Sequence, residues 1–204
     1  MIAWVKETMA RLGYPGIALL MFLENIIPPI PSELIMPLAG FLSAEGRLSF
    51  AGVVVAGTVG AVLGALPFYY LGRLAGETRL KAWADRYGRW VAVSSDDIDR
   101  VQRWFARHGG KAVFLGRLVP GIRSYISIPA GLARMPLLRF LLYTIPGVAL
   151  WSTLLAFAGR LLGSNYERVG QYLGPVGSAV LGLSVLSTLV WIVVRRRRTR
   201  HAGP

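Results

Sequence analysis

The sequence predicts an all-α polytopic membrane protein, with two inverted re-entrant helical hairpins plus three full transmembrane helices. Three observations carry that prediction. First, the chain is apolar yet basic. Of 204 residues, 54% are hydrophobic and 16% charged, mean hydropathy is +0.51, and 23 Lys and Arg oppose 10 Asp and Glu for a net charge of +13. Second, Phe50 to Leu71, Phe140 to Gly159 and Leu173 to Val194 are uncharged up to their ends. Each is long enough to cross about 30 Å of hydrocarbon as a helix. Third, two other apolar stretches, 13–43 and 110–135, are interrupted by prolines and carry charges.

These numbers exclude a disordered chain, a coiled coil and an ordinary soluble enzyme. The chain has no Cys, so thiolate catalysis, disulfides and zinc-ribbon or iron–sulfur sites are excluded. With only His108 and His201, histidine-based metal sites and Ser–His–Asp catalysis are poor expectations. No cofactor and no metal are expected. Nucleic-acid binding is not expected either, because the basic residues flank predicted spans.

The elements follow in order, within one membrane domain covering 1–204. Residues 1–72 form a first repeat: a short helix from Ile2 to Arg11, a hairpin at 13–43 and a transmembrane helix at 50–71. Pro28, Pro29 and Pro31 break that hairpin, since a proline run removes N–H donors and clashes with the preceding turn. Residues 73–95 form a cytoplasmic linker. Residues 96–160 form the second repeat: an amphipathic helix at 96–107, a hairpin at 110–135 broken at Pro120 and Pro129, and a transmembrane helix at 140–159. Each hairpin arm is too short to span, and non-helical backbone at that depth persists only inside protein or beside water. A third span at 173–194 and a basic tail at 195–204 complete the chain. Tyr69, Tyr70, Trp83, Trp90, Trp104 and Trp191 mostly fall near predicted interfaces, as an aromatic belt does, while Trp151 is expected to pack inside.

Orientation follows from Lys and Arg. The tail and segment 73–111, which holds nine basic and five acidic residues, belong on the cytoplasmic side. Loops 44–49 and 161–172 carry one basic residue each and belong outside. The N-terminus then lies outside too. The halves also resemble each other: short helix, Gly13 or Gly109, apolar run, first charge (Glu24 or Arg117), Pro break, then Pro37-Leu38-Ala39-Gly40 or Pro129-Ala130-Gly131, then a span. An odd number of crossings separates them, so the repeats are inverted. Inverted repeats with broken helices meeting near the midplane mark secondary transporters.

Four ionisable residues lie in the hairpins: Glu24, Glu33, Arg117 and Arg123. At the bilayer centre each costs about 2.5–3.5 kcal/mol, so they must be paired or hydrated. Two acids facing two arginines is the simplest arrangement. The charges would then serve as ion pairs alone, as shallow snorkelling groups, or as a working site. For a site, Arg supplies a planar fork suited to phosphate oxygens, and amides near Gly121 would add donors. Carboxyl groups exchange protons, and their affinity for protons rises on burial and falls beside a cation.

The residues also resemble a known family. Phe22-Leu23-Glu24-Asn25 with Pro31-Ser32-Glu33 resembles one signature of the DedA family of bacterial membrane proteins. Phe114-Leu115-Gly116-Arg117-Leu118-Val119-Pro120-Gly121-Ile122-Arg123, followed by Ile128-Pro129-Ala130-Gly131 and Met135, resembles the other. The resemblance covers roughly residues 10 to 165. It implies a transporter of the bacterial cytoplasmic membrane that moves undecaprenyl phosphate, or a phospholipid, using a proton or sodium gradient. It places the family's essential acids on Glu24 and Glu33, and its essential arginines on Arg117 and Arg123. Some family members have Asp at the second acidic position and a longer gap between the acids. A proton-coupled antiporter of small cations or drugs is the alternative. A membrane enzyme acting on lipid phosphates and a scaffold without transport are weaker alternatives. Membrane lipids and a polyprenyl phosphate are the expected partners, and the Gly-rich spans permit a homodimer.

Overall fold

The computed structural model of the chain describes residues 2–26, 32–91, 95–120 and 122–162. Pro28, Pro29, Pro31 and Gly121, the expected span 173–194 and the tail 195–204 lie outside them. Among the described residues there are seven helices and no strand.

Helix α1 (Ile2–Leu12) ends at Gly13, whose φ is +58° and whose N–H donates to the Met9 carbonyl at 2.9 Å. Glycine takes that left-handed stop without strain. Helix α2 (Tyr14–Ile26) begins at once. The Tyr14 hydroxyl donates to Ser49 Oγ at 3.1 Å and accepts the Ser49 N–H at 2.8 Å. The start of α2 is thereby tied to the residue just before Phe50, where the next long helix begins. Helix α3 (Ser32–Ala44) follows the proline segment. Stretch 13–43 therefore contains two short helices, as its composition predicts.

Helix α4 (Phe50–Val91) continues well beyond Leu71. Segment 73–91 contains no proline and holds four Arg, three Ala and two Leu, good helix formers. Most of the expected linker is thus a helical extension of the span. Helix α5 (Ser95–Arg117) is also longer than expected. It passes through Gly109 and Gly110 without a break. Gly110 is needed for contact instead: a Cβ there would come within 2.4 Å of the Tyr143 ring. Residues 118–120 and 122–126 then turn, and Pro120 lies among them. Pro129 breaks nothing. It is the third residue of α6 (Ser127–Leu132), where an N–H would have no helical acceptor. Helix α7 (Leu137–Leu162) closes the described chain.

The packing relates the two halves. Helix α3 of the first half lies on α7 of the second, and α6 of the second lies on α4 of the first. The backbone contacts correspond one to one. A Cβ on Gly40 would meet the Ala156 carbonyl at 1.9 Å, and one on Gly159 would meet the Pro37 carbonyl at 1.9 Å. In the other crossing, a Cβ on Gly131 would meet the Tyr69 carbonyl at 2.0 Å and one on Gly72 would meet the Ile128 carbonyl at 2.2 Å. Only glycine allows backbones this close, as in lipid-embedded helix pairs.

Two apolar cores flank these crossings. One joins Met9, Ile17, Leu20, Met21, Ile35 and Met36. The other joins Tyr69, Phe105, Val113, Met135 and Phe140. Tyr69 is thus a core residue and not part of an interfacial belt: it is fully buried, stacks on Phe140 and donates its hydroxyl to the Met135 carbonyl. The outer faces of α4 and α7 remain apolar, with Val55, Leu63, Leu138, Leu142 and Leu161 all at least half exposed. Only 39% of the hydrophobic window of α4 and 33% of that of α7 is buried. A soluble core helix hides most of its apolar surface, whereas these faces suit lipid.

Candidate functional site

The four charges meet where the interrupted helices approach each other. Glu24 sits in the last turn of α2 and is 6% exposed. Its neighbour Asn25 fixes that turn, donating to the Met21 carbonyl at 3.2 Å and to the Ala61 carbonyl of α4 at 3.3 Å. Glu33 lies in the first turn of α3. Beside it, Ser32 Oγ accepts a long hydrogen bond from Trp151 Nε1 of α7 at 3.4 Å. Arg117 is the last residue of α5, and Arg123 lies in the turn that follows.

The pairing is uneven. Arg123 makes an ion pair with Glu24, and Glu33 lies 3.9 Å from the same guanidinium nitrogen. Both acids thus converge on one arginine. Arg117 has no acid partner among the described residues. It donates to Ser127 Oγ at 2.8 Å and to the carbonyl of Arg123, and it lies 5.6 Å from the centre of the Phe140 ring. Arg123 lies 5.9 Å from the Trp151 ring. Aromatic faces attract such cations in a dry setting. The expected two-against-two pairing is therefore replaced by two acids on Arg123 and neutral acceptors on Arg117. The turn residues 122–126 account for the difference, because Arg123 among them reaches Glu24 of α2 while Arg117 stays on α5.

A pocket opens between these groups, lined by Met21, Glu24, Asn25, Arg117, Arg123 and Trp151 together with Ala61, Val148 and Ser152. Its space for water centres is about 20 Å³, enough for about one water. A phosphate does not fit in a space of that size. Gly147 keeps α7 close to this wall, since a Cβ there would lie 2.9 Å from Arg117 Cβ.

Of the residues singled out in the sequence, Glu24, Glu33, Arg117 and Arg123 are brought together. Pro120 lies in the adjoining turn, Pro129 lies in α6, and Gly121 and the first three prolines are outside the described residues. Sequence reasoning did not single out Ser32, Ser127, Ser152 or Phe140. Ser127 carried a faint signal, as a polar residue in an apolar stretch between Arg123 and Pro129.

Fold and site define a helical membrane protein with a buried, charged site between interrupted helices. The chain belongs to the VTT-domain (DedA) family: the VTT domain matches residues 14–161. An alkaline phosphatase-like protein of Lactococcus lactis is 39% identical over 94% of this chain and 92% of its own length. Undecaprenyl phosphate transporter A of Bacillus subtilis is 32% identical over 97% and 96%. DedA of Escherichia coli is 26% identical over 98% and 92%. No solved structure matches the chain. Membrane transport is accordingly a role carried by this family.

Proposed function

We propose that this protein is a lipid-phosphate transporter that carries undecaprenyl phosphate, or a related phospholipid, across the bacterial cytoplasmic membrane, coupled to a proton or sodium gradient. The single observation that carries this reading is the pairing of buried Arg117 with part-buried Arg123, with two carboxyl groups gathered on Arg123. Charge supports it. Two arginines and two carboxylates sum to zero. When both acids are protonated, the site holds two positive charges, which a phosphate monoester of about −2 neutralises. Protonation of Glu24 would release Arg123, and the phosphate would take the place of the carboxylate on it. Arg117 would hold the other side through its fork. The hydrocarbon chain would stay in lipid while the headgroup crosses between the interrupted helices, and sodium would act at the same carboxylates if it is the coupling ion.

The test is movement of a fluorescent polyprenyl phosphate in proteoliposomes under an imposed pH or sodium gradient. Wild type is expected to move the lipid, and Arg117→Ala and Arg123→Ala are expected to lose at least 90% of that flux, roughly a tenfold effect. Undiminished flux in both variants would remove the site from the account. The name of the Lactococcus relative favours a second reading, hydrolysis of a lipid phosphate. Release of inorganic phosphate in the same vesicles would be its signature.

A further inference from the structure

One polar group on the pocket wall has no role in the ion-pair arrangement. Ser152 of α7 is fully buried and lines the pocket with Arg117 and Arg123, and its Oγ has no hydrogen-bond partner among the described residues. Its neighbours behave otherwise. A hydroxyl in an apolar helix commonly returns to the carbonyl four residues back. Thr153 does so to Ala149 at 2.7 Å, and Thr58 does so to Val54 at 2.7 Å. Across the same pocket, Arg117 Nε is also buried without a partner. Buried polar groups left unpaired are uncommon and call for a reason. Ser152 and Arg117 line one pocket from two helices, and Ser152 Oγ and Arg117 Nε can both donate. An acceptor with more than one oxygen could take a hydrogen bond from each.

Resting on the lipid-phosphate reading, we propose that Ser152 is a binding residue for the phosphate monoester headgroup. Its hydroxyl donates to one phosphate oxygen while Arg117 Nε donates to another. The pocket has no room for such an anion while Arg123 is held by Glu24, so at most a water reaches the two donors until the site opens. A neutral donor suits that wall because the arginines already balance the charge of a monoester. Thr144 is the internal contrast. It is equally buried and equally without a partner, on the same helix, but it does not line the pocket.

The experiment uses the full chain in lipid nanodiscs with farnesyl phosphate as the probe. Binding and thermal melting are measured for wild type, Ser152→Ala, Thr144→Val and Arg117→Ala. Ser152→Ala is expected to weaken binding about tenfold, the scale of one hydrogen bond to a charged group. It is expected to melt no lower than wild type, because it deletes an unpaired buried hydroxyl. Thr144→Val is expected to bind as wild type does, and Arg117→Ala is expected to lose binding. If Ser152→Ala binds normally while Arg117→Ala does not, this inference is wrong and the lipid-phosphate reading stands. If Arg117→Ala also binds normally, that reading falls. Equal weakening by Thr144→Val and Ser152→Ala would assign the effect to helix packing and overturn the inference. Inorganic phosphate, the chainless second probe, is expected to show the same Ser152 dependence at lower affinity. Dependence seen with inorganic phosphate alone would make free phosphate the ligand and contradict the lipid reading.

Discussion

Arg117 and Arg123 look alike in the sequence but hold different positions in the site. Arg123 is neutralised by Glu24 and approached by Glu33, whereas Arg117 relies on Ser127, a backbone carbonyl and the face of Phe140. Removing one partner of a buried pair leaves the other charge stranded, at about 3–5 kcal/mol. Glu24→Ala and Arg123→Ala are therefore each expected to lower stability by that order. The double variant should lose clearly less than the sum, as a double-mutant cycle of melting would show. Arg117→Lys is expected to weaken lipid-phosphate binding at least tenfold, because an ammonium cannot fork to Ser127 and the Arg123 carbonyl together. Binding to membrane-embedded protein checks this. The four charges were legible in the sequence because ionisable groups in apolar stretches are costly. How the acids divide between the arginines was not, because that depends on where Arg123 lies after α5 ends. Ser152 left no signal, since a serine in an apolar helix ordinarily satisfies itself on its own backbone.

Helices in this protein approach through glycine. The contacts of Gly40 and Gly159 in one crossing match those of Gly131 and Gly72 in the other. Gly159→Ala and Gly72→Ala are each expected to destabilise by about 1–3 kcal/mol through forced separation of backbones, visible as lowered melting temperatures. Gly109→Ala should be neutral or stabilising by up to about 1 kcal/mol. Its nearest neighbour is Phe105 Cδ1 at an ordinary 3.5 Å, and it lies inside α5. The same pair of residues shows where the sequence was ambiguous. Gly13 ends a helix with positive φ while Gly109 continues one, yet both follow a short helix and precede an apolar run. Pro129 carried the same ambiguity, because a proline reads as a break unless the helix is known to start just before it. The apolar windows themselves were plain, since their length is set by the membrane. The helix ends were not: the charges from Arg73 onward mark the end of the apolar window, but nothing there stops the helix of α4.

At the scale of the whole molecule, the reciprocal crossings of α3 with α7 and α6 with α4 parallel the sequence likeness of the two halves. An inverted arrangement would let each half present its interrupted helices to one side of the membrane. The natural absence of Cys makes the topology directly testable. A cysteine placed at Glu45 is expected to react with an impermeant thiol reagent from outside intact cells. One placed at Lys111 is expected to react only after the inner face is exposed. The reverse pattern would invert the assigned orientation. The central claim is that a lipid phosphate rests on the two buried arginines. Native mass spectrometry of gently extracted protein, wild type beside an Arg117→Ala/Arg123→Ala double variant, tests it most directly. A polyprenyl or phospholipid phosphate held by wild type and lost from the double variant is the predicted result. The same lipids retained by both would contradict the claim.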